Sequence, residues 1–170
     1  LAQVGLPEVK LGLLPGGGGT QRLPRLAGVE AALDLITSGT SISVDKAKSL
    51  GLIDMVVDNL AQGSIEFAKS LIATQAPLRQ VSQLTIDPES INLDFFENYR
   101  SKLQRRARGL EAPQHIVTCV EAAVTIPFEQ GLVLERELFV KCAKSSQSKA
   151  LRHVFFAQRQ SAKVKGLPKE

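Results

Sequence analysis

The residues Pro7–Leu23, PEVKLGLLPGGGGTQRL, decide how the rest of the chain is interpreted. Their first half is too apolar for an ordinary surface loop, and it carries one carboxylate at Glu8. The run Gly16–Gly19 can adopt positive φ and lets another group approach the backbone closely. A helix that begins near Thr20 would leave its first N–H groups free to receive an anion or a polarised oxygen. A carboxylate, an apolar wall and backbone donors together favour proton transfer beside a developing negative charge.

A simpler interpretation of the same stretch stays open. A glycine run is usually a flexible turn, and a lone glutamate is usually solvated, so the residues alone support a site and a plain turn about equally. The stretch is not a P-loop, because no Gly-Lys-Ser/Thr follows the glycines. It is also not a dinucleotide fingerprint, because strand, glycines, helix and a later acidic residue are not laid out correctly.

The stretch Gly5–Leu23 resembles the signature of the crotonase (enoyl-CoA hydratase/isomerase) family. Thr37–Gly39 and Ala47–Asp54 resemble the next two landmarks of that family, in the expected order. Ala150–Arg159 resembles the linker helix that joins the two parts of bifunctional enoyl-CoA hydratase/3-hydroxyacyl-CoA dehydrogenases. The resemblance covers nearly the whole chain and is weakest over residues 61–114.

The resemblance implies an α/β fold: the C-terminal part of a crotonase (ClpP/crotonase-like) spiral, followed by a predominantly α-helical region. Residues 1–60 would be the C-terminal part of the crotonase core, and residues 61–145 a helical region that completes the hydratase domain. Residues 146–170 would be the linker helix toward a dehydrogenase domain. We therefore expect a piece of a larger protein. One family carboxylate and the oxyanion-hole donors would precede Leu1, and the dehydrogenase would begin after Pro168.

The reaction that the resemblance implies is hydration of a trans-2-enoyl-CoA to a 3-hydroxyacyl-CoA in fatty-acid β-oxidation. Glu8 matches one of the two catalytic carboxylates of the family, and the N–H of Gly16 would help to hold the water. Hydration needs no metal or redox cofactor; coenzyme A enters as part of the substrate, and NAD would serve only the dehydrogenase part. Δ3-Δ2-enoyl-CoA isomerase activity on the same site, or a non-catalytic structural fragment, are the alternatives. The chain in isolation is expected to be inactive.

Composition is that of an ordinary soluble domain, with 170 residues of which 44% are hydrophobic and 22% charged. No apolar run approaches the roughly 20 residues of a membrane span. The net charge of +4 favours an acidic partner. Nucleic acid is disfavoured because aromatic residues are not interleaved with the basic ones. A substrate with several phosphates agrees better with the resemblance.

The predicted partners follow from the resemblance as well. They are an acyl-CoA substrate, with no nucleic acid and no membrane span. Cutting away half of a spiral fold would expose apolar surface, so a homo-oligomer or association with the missing half is expected. The expected location is soluble: the peroxisome, the mitochondrial matrix or the bacterial cytoplasm.

Several other side chains have competing interpretations. Cys119 and Cys142 are predicted to be buried reduced thiols, and His115 and His153 structural or surface residues, because neither pair has ligand-spaced partners. The double aromatic Phe155-Phe156 is expected to pack in the core, with an acyl-tunnel wall or an inter-domain contact as the alternative. A basic helix face is expected to be solvated, with coenzyme A phosphates as the alternative ligand. Its residues are Arg100, Lys102, Arg105, Arg106 and Arg108.

Spacing and breaker residues predict the elements of the first half. Residues 1–14 are predicted to form strand-like pieces, and residues 20–26 a helix limited by Pro24. A second helix passes through Val29, Leu33 and Ile36 and ends at Gly39, and a third spans 44–50, capped by Ser43 and ended by Gly51. A buried strand at 55–57, a helix over 62–75 and an irregular stretch over 76–92 follow.

After Asn92 the pattern predicts helices only. The first helix has Phe96, Tyr99, Leu103 and Ala107 on one face, and the second starts with Pro113 and carries Ile116, Val120, Ala123 and Val124. The third helix follows Pro127 and carries Leu134, Leu138 and Cys142. After a break at Ser145-Ser146, the last helix spans 147–163, with Leu151, Val154 and Phe155 facing inward.

Overall fold

A computed structural model describes residues 2–107, 109–161 and 163, and helices dominate them. The helices are α1 (Gly19–Ala27), α2 (Val29–Ser38), α3 (Val44–Ser49), α4 (Leu60–Ala73), α5 (Phe95–Arg106), α6 (Ala112–Thr125), α7 (Phe128–Lys144) and α8 (Ser146–Ser161). Two short strands, β1 (Gln3–Val4) and β2 (Ile42–Ser43), pair antiparallel with Gln3 opposite Ser43. Short 3₁₀ helices span Pro7–Leu11, Val81–Gln83 and Pro88–Ser90.

Helix boundaries follow the predicted capping residues closely. Gly39 ends α2 in the left-handed region, with φ of 61°, a position that glycine occupies without strain. The hydroxyl of Ser43 accepts the N–H of Lys46 at 3.2 Å and so caps α3. Pro113 lies in the first turn of α6, where its missing N–H costs nothing. These three predictions are confirmed.

The strand prediction for residues 1–14 is correct only at β1. Pro7 instead starts the 3₁₀ helix Pro7–Leu11, since its fixed φ suits the first position of a helix. Gly12 ends that helix with φ of 66°, and its N–H donates to the carbonyl of Val9 at 3.0 Å. Leu1 lies outside the described residues. Glu8 is therefore held on a tight helical turn and not on an extended strand.

The prediction that Pro24 limits the first helix is wrong. Pro24 lies inside α1, fully buried, and the helix continues to Ala27. The actual stop is Gly28, whose φ of 84° leaves the helical region. A proline removes one N–H bond from a helix but does not by itself end the helix when the ring is packed.

The prediction of a buried strand at Met55–Val57 is also wrong. These residues have no regular structure, and the side chains of Met55 and Val56 are both 42% exposed. A strand needs a neighbour for its N–H and C=O groups. Among the described residues, the sheet consists of β1 and β2 alone.

The core lies between α1, α2 and α6, with α5 and α7 packed on α6. Its fully buried side chains come mostly from α2 and α6 and include Leu33, Ile36, Ile116, Val117 and Val120. Because α6 packs on both α1 and α2, the late helices cover the segment that carries the glycine run.

The last helix, α8, packs on α7 and on the 3₁₀ helix of Glu8. The hydroxyl of Ser148 donates to the carbonyl of Leu11 at 2.8 Å, which ties the start of α8 to that segment. The prediction that Val154 faces inward is wrong, because its side chain is 49% exposed. Of the predicted range 147–163, residue 162 lies outside the described residues, as do residues 164–170 of the predicted linker.

The predicted amphipathic helix over 62–75 is confirmed as α4, but its apolar side is uncovered in this chain. Ile65 is 53% exposed and Ile72 is 78% exposed, and α4 packs only sparsely against the other elements. Gly63 is the buried residue of α4, where a Cβ would meet the side chain of Val57. The apolar side of α4 is therefore exposed among the described residues.

None of the helices in the described residues is both long enough and apolar enough to cross a bilayer.

Candidate active site

Glu8 sits on the 3₁₀ helix Pro7–Leu11 with its side chain half-buried. Its backbone carbonyl is satisfied, because it accepts the N–H of Leu13 at 3.1 Å. Its Oε2 atom is buried and has no hydrogen-bond partner among the described residues. Buried carboxylate oxygens normally have a donor. This oxygen is therefore available to a group that the chain itself does not supply.

The glycine run forms a turn over residues 16–18 and leads directly into α1. Gly18 has φ of 85°, a value that only glycine adopts readily. The guanidinium of Arg22 donates to the carbonyl of Gly17 at 2.6 Å, which closes the turn from the helix side. The predicted turn at the start of a helix is therefore present.

The predicted free N–H groups at this helix start are already occupied from within the chain. The N–H of Gly18 donates to Oε1 of Glu135 at 2.6 Å, and the N–H of Thr20 donates to Oε2 at 3.0 Å. The hydroxyl of Thr20 donates to the same Oε2 at 2.5 Å. Helix N-termini attract negative charge, and here the carboxylate comes from α7. The expectation that an external anion binds these groups is corrected accordingly.

Glu135 is the residue that the sequence interpretation missed. It is 2% exposed and lies in the middle of α7. The available signal was its position: Gly131, Glu135, Leu138 and Cys142 fall on one face at helical spacing. A charged residue on an otherwise buried face requires partners, because a buried carboxylate without them is costly. The sequence alone did not show that those partners are the glycine turn.

A second buried side chain, Gln21, extends this network to α6. Its Nε2 donates to the carbonyl of Cys119 at 2.7 Å and to the hydroxyl of Thr20 at 3.3 Å. Burial, reinforced by the charge of Glu135, raises the pKa of the Cys119 thiol to about 12. Burial also raises the pKa of Cys142. Both thiols are free and buried, as predicted, and stay protonated at neutral pH.

Gly16 is exposed at the tip of the turn and packs against the ring of Phe139 on α7. It lines a cavity of about 520 Å³ together with residues of α7. The α7 residues of that cavity are Glu129, Leu132, Val133, Arg136, Phe139 and Val140. Glu8 is not among the residues that line it. The chain thus places the two predicted site residues on adjoining segments but not in this one cavity.

The contact with Phe139 makes a prediction for two neighbouring glycines. A Cβ at residue 16 would lie 2.7 Å from the ring of Phe139, whereas a Cβ at residue 17 would meet nothing within 4 Å. Gly16→Ala is expected to destabilise the protein by about 1 kcal/mol through overpacking, with Gly17→Ala nearly neutral as its matched control. Urea unfolding of the two variants measures the difference. Equal midpoints would contradict the packing described for the turn.

The basic face of α5 is only partly free. Arg100 forms an ion pair with Glu121 at 2.5 Å. Lys102 and Arg106 line a cavity together with Asp34, so the surface there carries charges of both signs. Arg105 is exposed, and Arg108 lies outside the described residues. Part of the positive charge of this face is therefore balanced by carboxylates of the chain itself.

The two histidines and the pair Phe155-Phe156 differ in how far their side chains are buried. Nε2 of His115 is buried without a partner among the described residues, and burial lowers the pKa of that imidazole. His153 is exposed on α8. Phe155 packs under the guanidinium of Arg159 at 4.4 Å, but Phe156 is 59% exposed, which corrects the expectation of core packing. Over the described ranges, no three His, Cys, Asp or Glu side chains cluster as metal ligands would.

The sequence is similar to a known protein family and to several named proteins. A family model described as enoyl-CoA hydratase/isomerase matches residues 1–112. A protein of Danio rerio named peroxisomal bifunctional enzyme is 44% identical over 95% of this chain and 23% of its own length. The Homo sapiens protein of that name is 44% identical over 95% of this chain and 22% of its own length. A fatty acid oxidation complex subunit alpha of Shewanella loihica is 38% identical over 96% of this chain and 24% of its own length.

The chain covers a similar, small share of each of the three relatives, between 22% and 24% of their length. The chain spans less than a quarter of the length of these curated relatives. Their identity to the chain nevertheless extends across both the glycine run and the late helices, since 95% or more of it is aligned.

Proposed function

The chain belongs to the enoyl-CoA hydratase/isomerase family, and on that premise we propose that the protein carrying it hydrates trans-2-enoyl-CoA to 3-hydroxyacyl-CoA in fatty-acid oxidation. Residues 1–60 then form the C-terminal part of a crotonase spiral, and residues 61–145 complete the hydratase domain. Residues 146–170 act as the linker toward a 3-hydroxyacyl-CoA dehydrogenase, which would use NAD. The names of the bifunctional relatives support this arrangement.

One observation carries the proposal: Oε2 of Glu8 is buried and unpartnered among the described residues. A carboxylate oxygen in this state is an acceptor with no protein donor. Water or an acyl-CoA carbon acid can occupy that position, and a general acid or base must lie within hydrogen-bond reach of the proton that it moves.

In the proposed reaction the oxygen of water attacks C3 of the enoyl thioester and a proton is added at C2. Glu8 serves as acid and base on that path, and the N–H of Gly16, a residue exposed at the tip of the turn, holds the water. The charge that develops on the thioester oxygen is stabilised by backbone donors, as in oxyanion holes generally. The family resemblance assigns these donors and a second carboxylate to sequence upstream of Leu1. Glu135 is not that second carboxylate, because its two oxygens accept the N–H groups of Gly18 and Thr20.

The proposed ligand is a coenzyme A thioester, which enters as part of the substrate, and hydration itself requires no further cofactor. We propose that the uncovered apolar side of α4 is buried by association, either in a homo-oligomer or with the rest of the hydratase domain. The compartment is proposed to be the peroxisome, the mitochondrial matrix or the bacterial cytoplasm. The names of the relatives include a peroxisomal enzyme and a bacterial one.

The experiment is an assay of the complete natural polypeptide that contains this sequence, with a trans-2-enoyl-CoA and a 3-enoyl-CoA as separate substrates. Hydration removes the absorbance of the conjugated thioester and adds the mass of one water. Isomerisation of the 3-enoyl substrate creates that absorbance without a change of mass, and reports the alternative activity. Absence of turnover with both substrates would contradict the proposed function and favour a structural role.

A further inference from the structure

We infer that Glu135 is a positioning residue of this site: its carboxylate fixes the glycine turn and thereby the direction of the N–H of Gly16. The inference rests on the proposed function, in which that N–H holds the water. Glu135 touches no reacting atom in this account and acts only through the backbone that it binds.

Helix α7 holds the turn at two points. Glu135 binds the N–H groups of Gly18 and Thr20, at 2.6 and 3.0 Å. One helical turn later, Phe139 packs against the backbone of Gly16 so closely that a Cβ there would lie 2.7 Å from its ring. Residues four apart lie on the same helix face, so one rigid surface sets both ends of the turn. The direction of the Gly16 N–H is therefore determined by α7.

The charge of Glu135 makes this arrangement specific. The side chain is 2% exposed, and no cation pairs with it among the described residues, so three donors from Gly18 and Thr20 stabilise the buried carboxylate. The N-terminal end of α1 adds favourable electrostatics. A buried charge that loses its donors is strongly destabilised. Alternative conformations of the turn are therefore suppressed, which is the preorganisation that a water-binding N–H needs.

Glutamine cannot replace Glu135 in this role, although it has nearly the same shape. Both carboxylate oxygens accept an N–H, on Gly18 and on Thr20. An amide offers one oxygen and turns two donors toward the other N–H. Glu135→Gln therefore keeps the packing but places the side-chain NH2 group against the N–H of Gly18 or Thr20. The repulsion between these two donors moves the turn.

The experiment compares Glu135→Gln and Glu135→Ala with Glu137→Gln in the complete polypeptide. Glu137 is exposed on the same helix and serves as the matched control. At a temperature where all variants are folded, both Glu135 variants are expected to lose about 10- to 100-fold in kcat with little change in KM, because a misplacement of about 1 Å can cost about 100-fold in rate. Formate, which can occupy the space of the deleted carboxylate, is expected to restore part of the kcat of Glu135→Ala.

A second readout is independent of turnover. The amide resonances of Gly16, Gly18 and Thr20 are expected to shift in Glu135→Ala and to return toward wild type as formate is added. If wild type is inactive, the proposed function fails, while these resonances still test the geometric inference. Wild-type kcat and an unchanged Gly16 resonance in folded Glu135→Gln would overturn the inference and leave Glu135 a purely structural cap.

A variant that removes less of the contact covers the case in which Glu135→Ala does not fold. Thr20→Val deletes only the hydroxyl that donates to Oε2 and keeps both N–H donors and the side-chain volume. It is expected to lower kcat by a smaller factor and to shift the Gly16 amide in the same direction. No change in either quantity would again overturn the inference.

Discussion

Glu8→Gln in the complete polypeptide is expected to lower kcat for hydration by about 10²- to 10⁴-fold, the usual contribution of a general acid or base. Glutamine preserves the shape of the side chain but cannot take up and release a proton at neutral pH. KM is expected to change little, because the substitution preserves the volume and shape of the side chain. The measurement is steady-state kinetics with a trans-2-enoyl-CoA, and a fall of kcat at constant KM identifies an interaction made in the transition state.

The control for this prediction is Glu97→Gln, on an exposed position of α5. It removes the same carboxylate chemistry from the surface and is expected to leave kcat unchanged. Normal turnover of Glu8→Gln would show that the unpartnered Oε2 is a structural feature only. It would also remove the one observation on which the proposed acid/base role depends.

Local features of the fold were predictable from sequence because their causes are local. Gly39 ends α2 and Ser43 caps α3, since a left-handed φ and a side-chain acceptor are properties of single residues. The strand predicted at Met55–Val57 did not form, because a strand depends on more than its own residues. A short apolar run fits a strand equally well. Whether it becomes one depends on a neighbouring strand, which the short run itself does not specify.

At the glycine turn, the expected attraction of a negative charge is correct, but the charge does not come from an external ligand. Free N–H groups at the start of α1 attract a negative charge, as expected from the sequence. The charge comes from Glu135, more than a hundred residues later, which donates nothing but accepts all three bonds. Pairing over such a sequence distance depends on the packing of α7 against α1. Gly16, at the exposed tip, lies outside these bonds, and it is the residue of the run to which the proposed function gives a ligand.

The apolar patterns of α4 and α6 located both helices but did not show whether other elements cover their apolar sides. The apolar spacing of α4 is as regular as that of α6, yet Ile65 is 53% exposed and Ile116 is fully buried. An amphipathic pattern states which side of a helix is apolar and not what covers it. In α6 the cover is α1 and α2. Among the described residues, α4 packs only sparsely against the other elements, so its apolar side stays exposed.

Gly131→Ala is expected to destabilise the protein by about 2 kcal/mol, against the usual trend for helices. In a helix interior, alanine is normally about 1 kcal/mol more favourable than glycine. Here a Cβ at residue 131 would overlap Oε1 of Gln21 and lie 2.7 Å from its Cδ. Gln21 is fully buried and bonds the carbonyl of Cys119, so it can move only by overpacking its neighbours or leaving that carbonyl unpaired. Urea unfolding measures the change.

A double-mutant cycle separates the clash from other effects of the substitution. In a Gln21→Ala background the obstructing amide is gone, and Gly131→Ala is expected to be neutral or stabilising. The sign of its effect on the free energy of unfolding should therefore reverse between the two backgrounds. A destabilisation of the same size in both would show that the cost of alanine at 131 has nothing to do with Gln21. It would then have to come from the close packing of α7 on α1, the same contact through which Glu135 reaches the glycine turn.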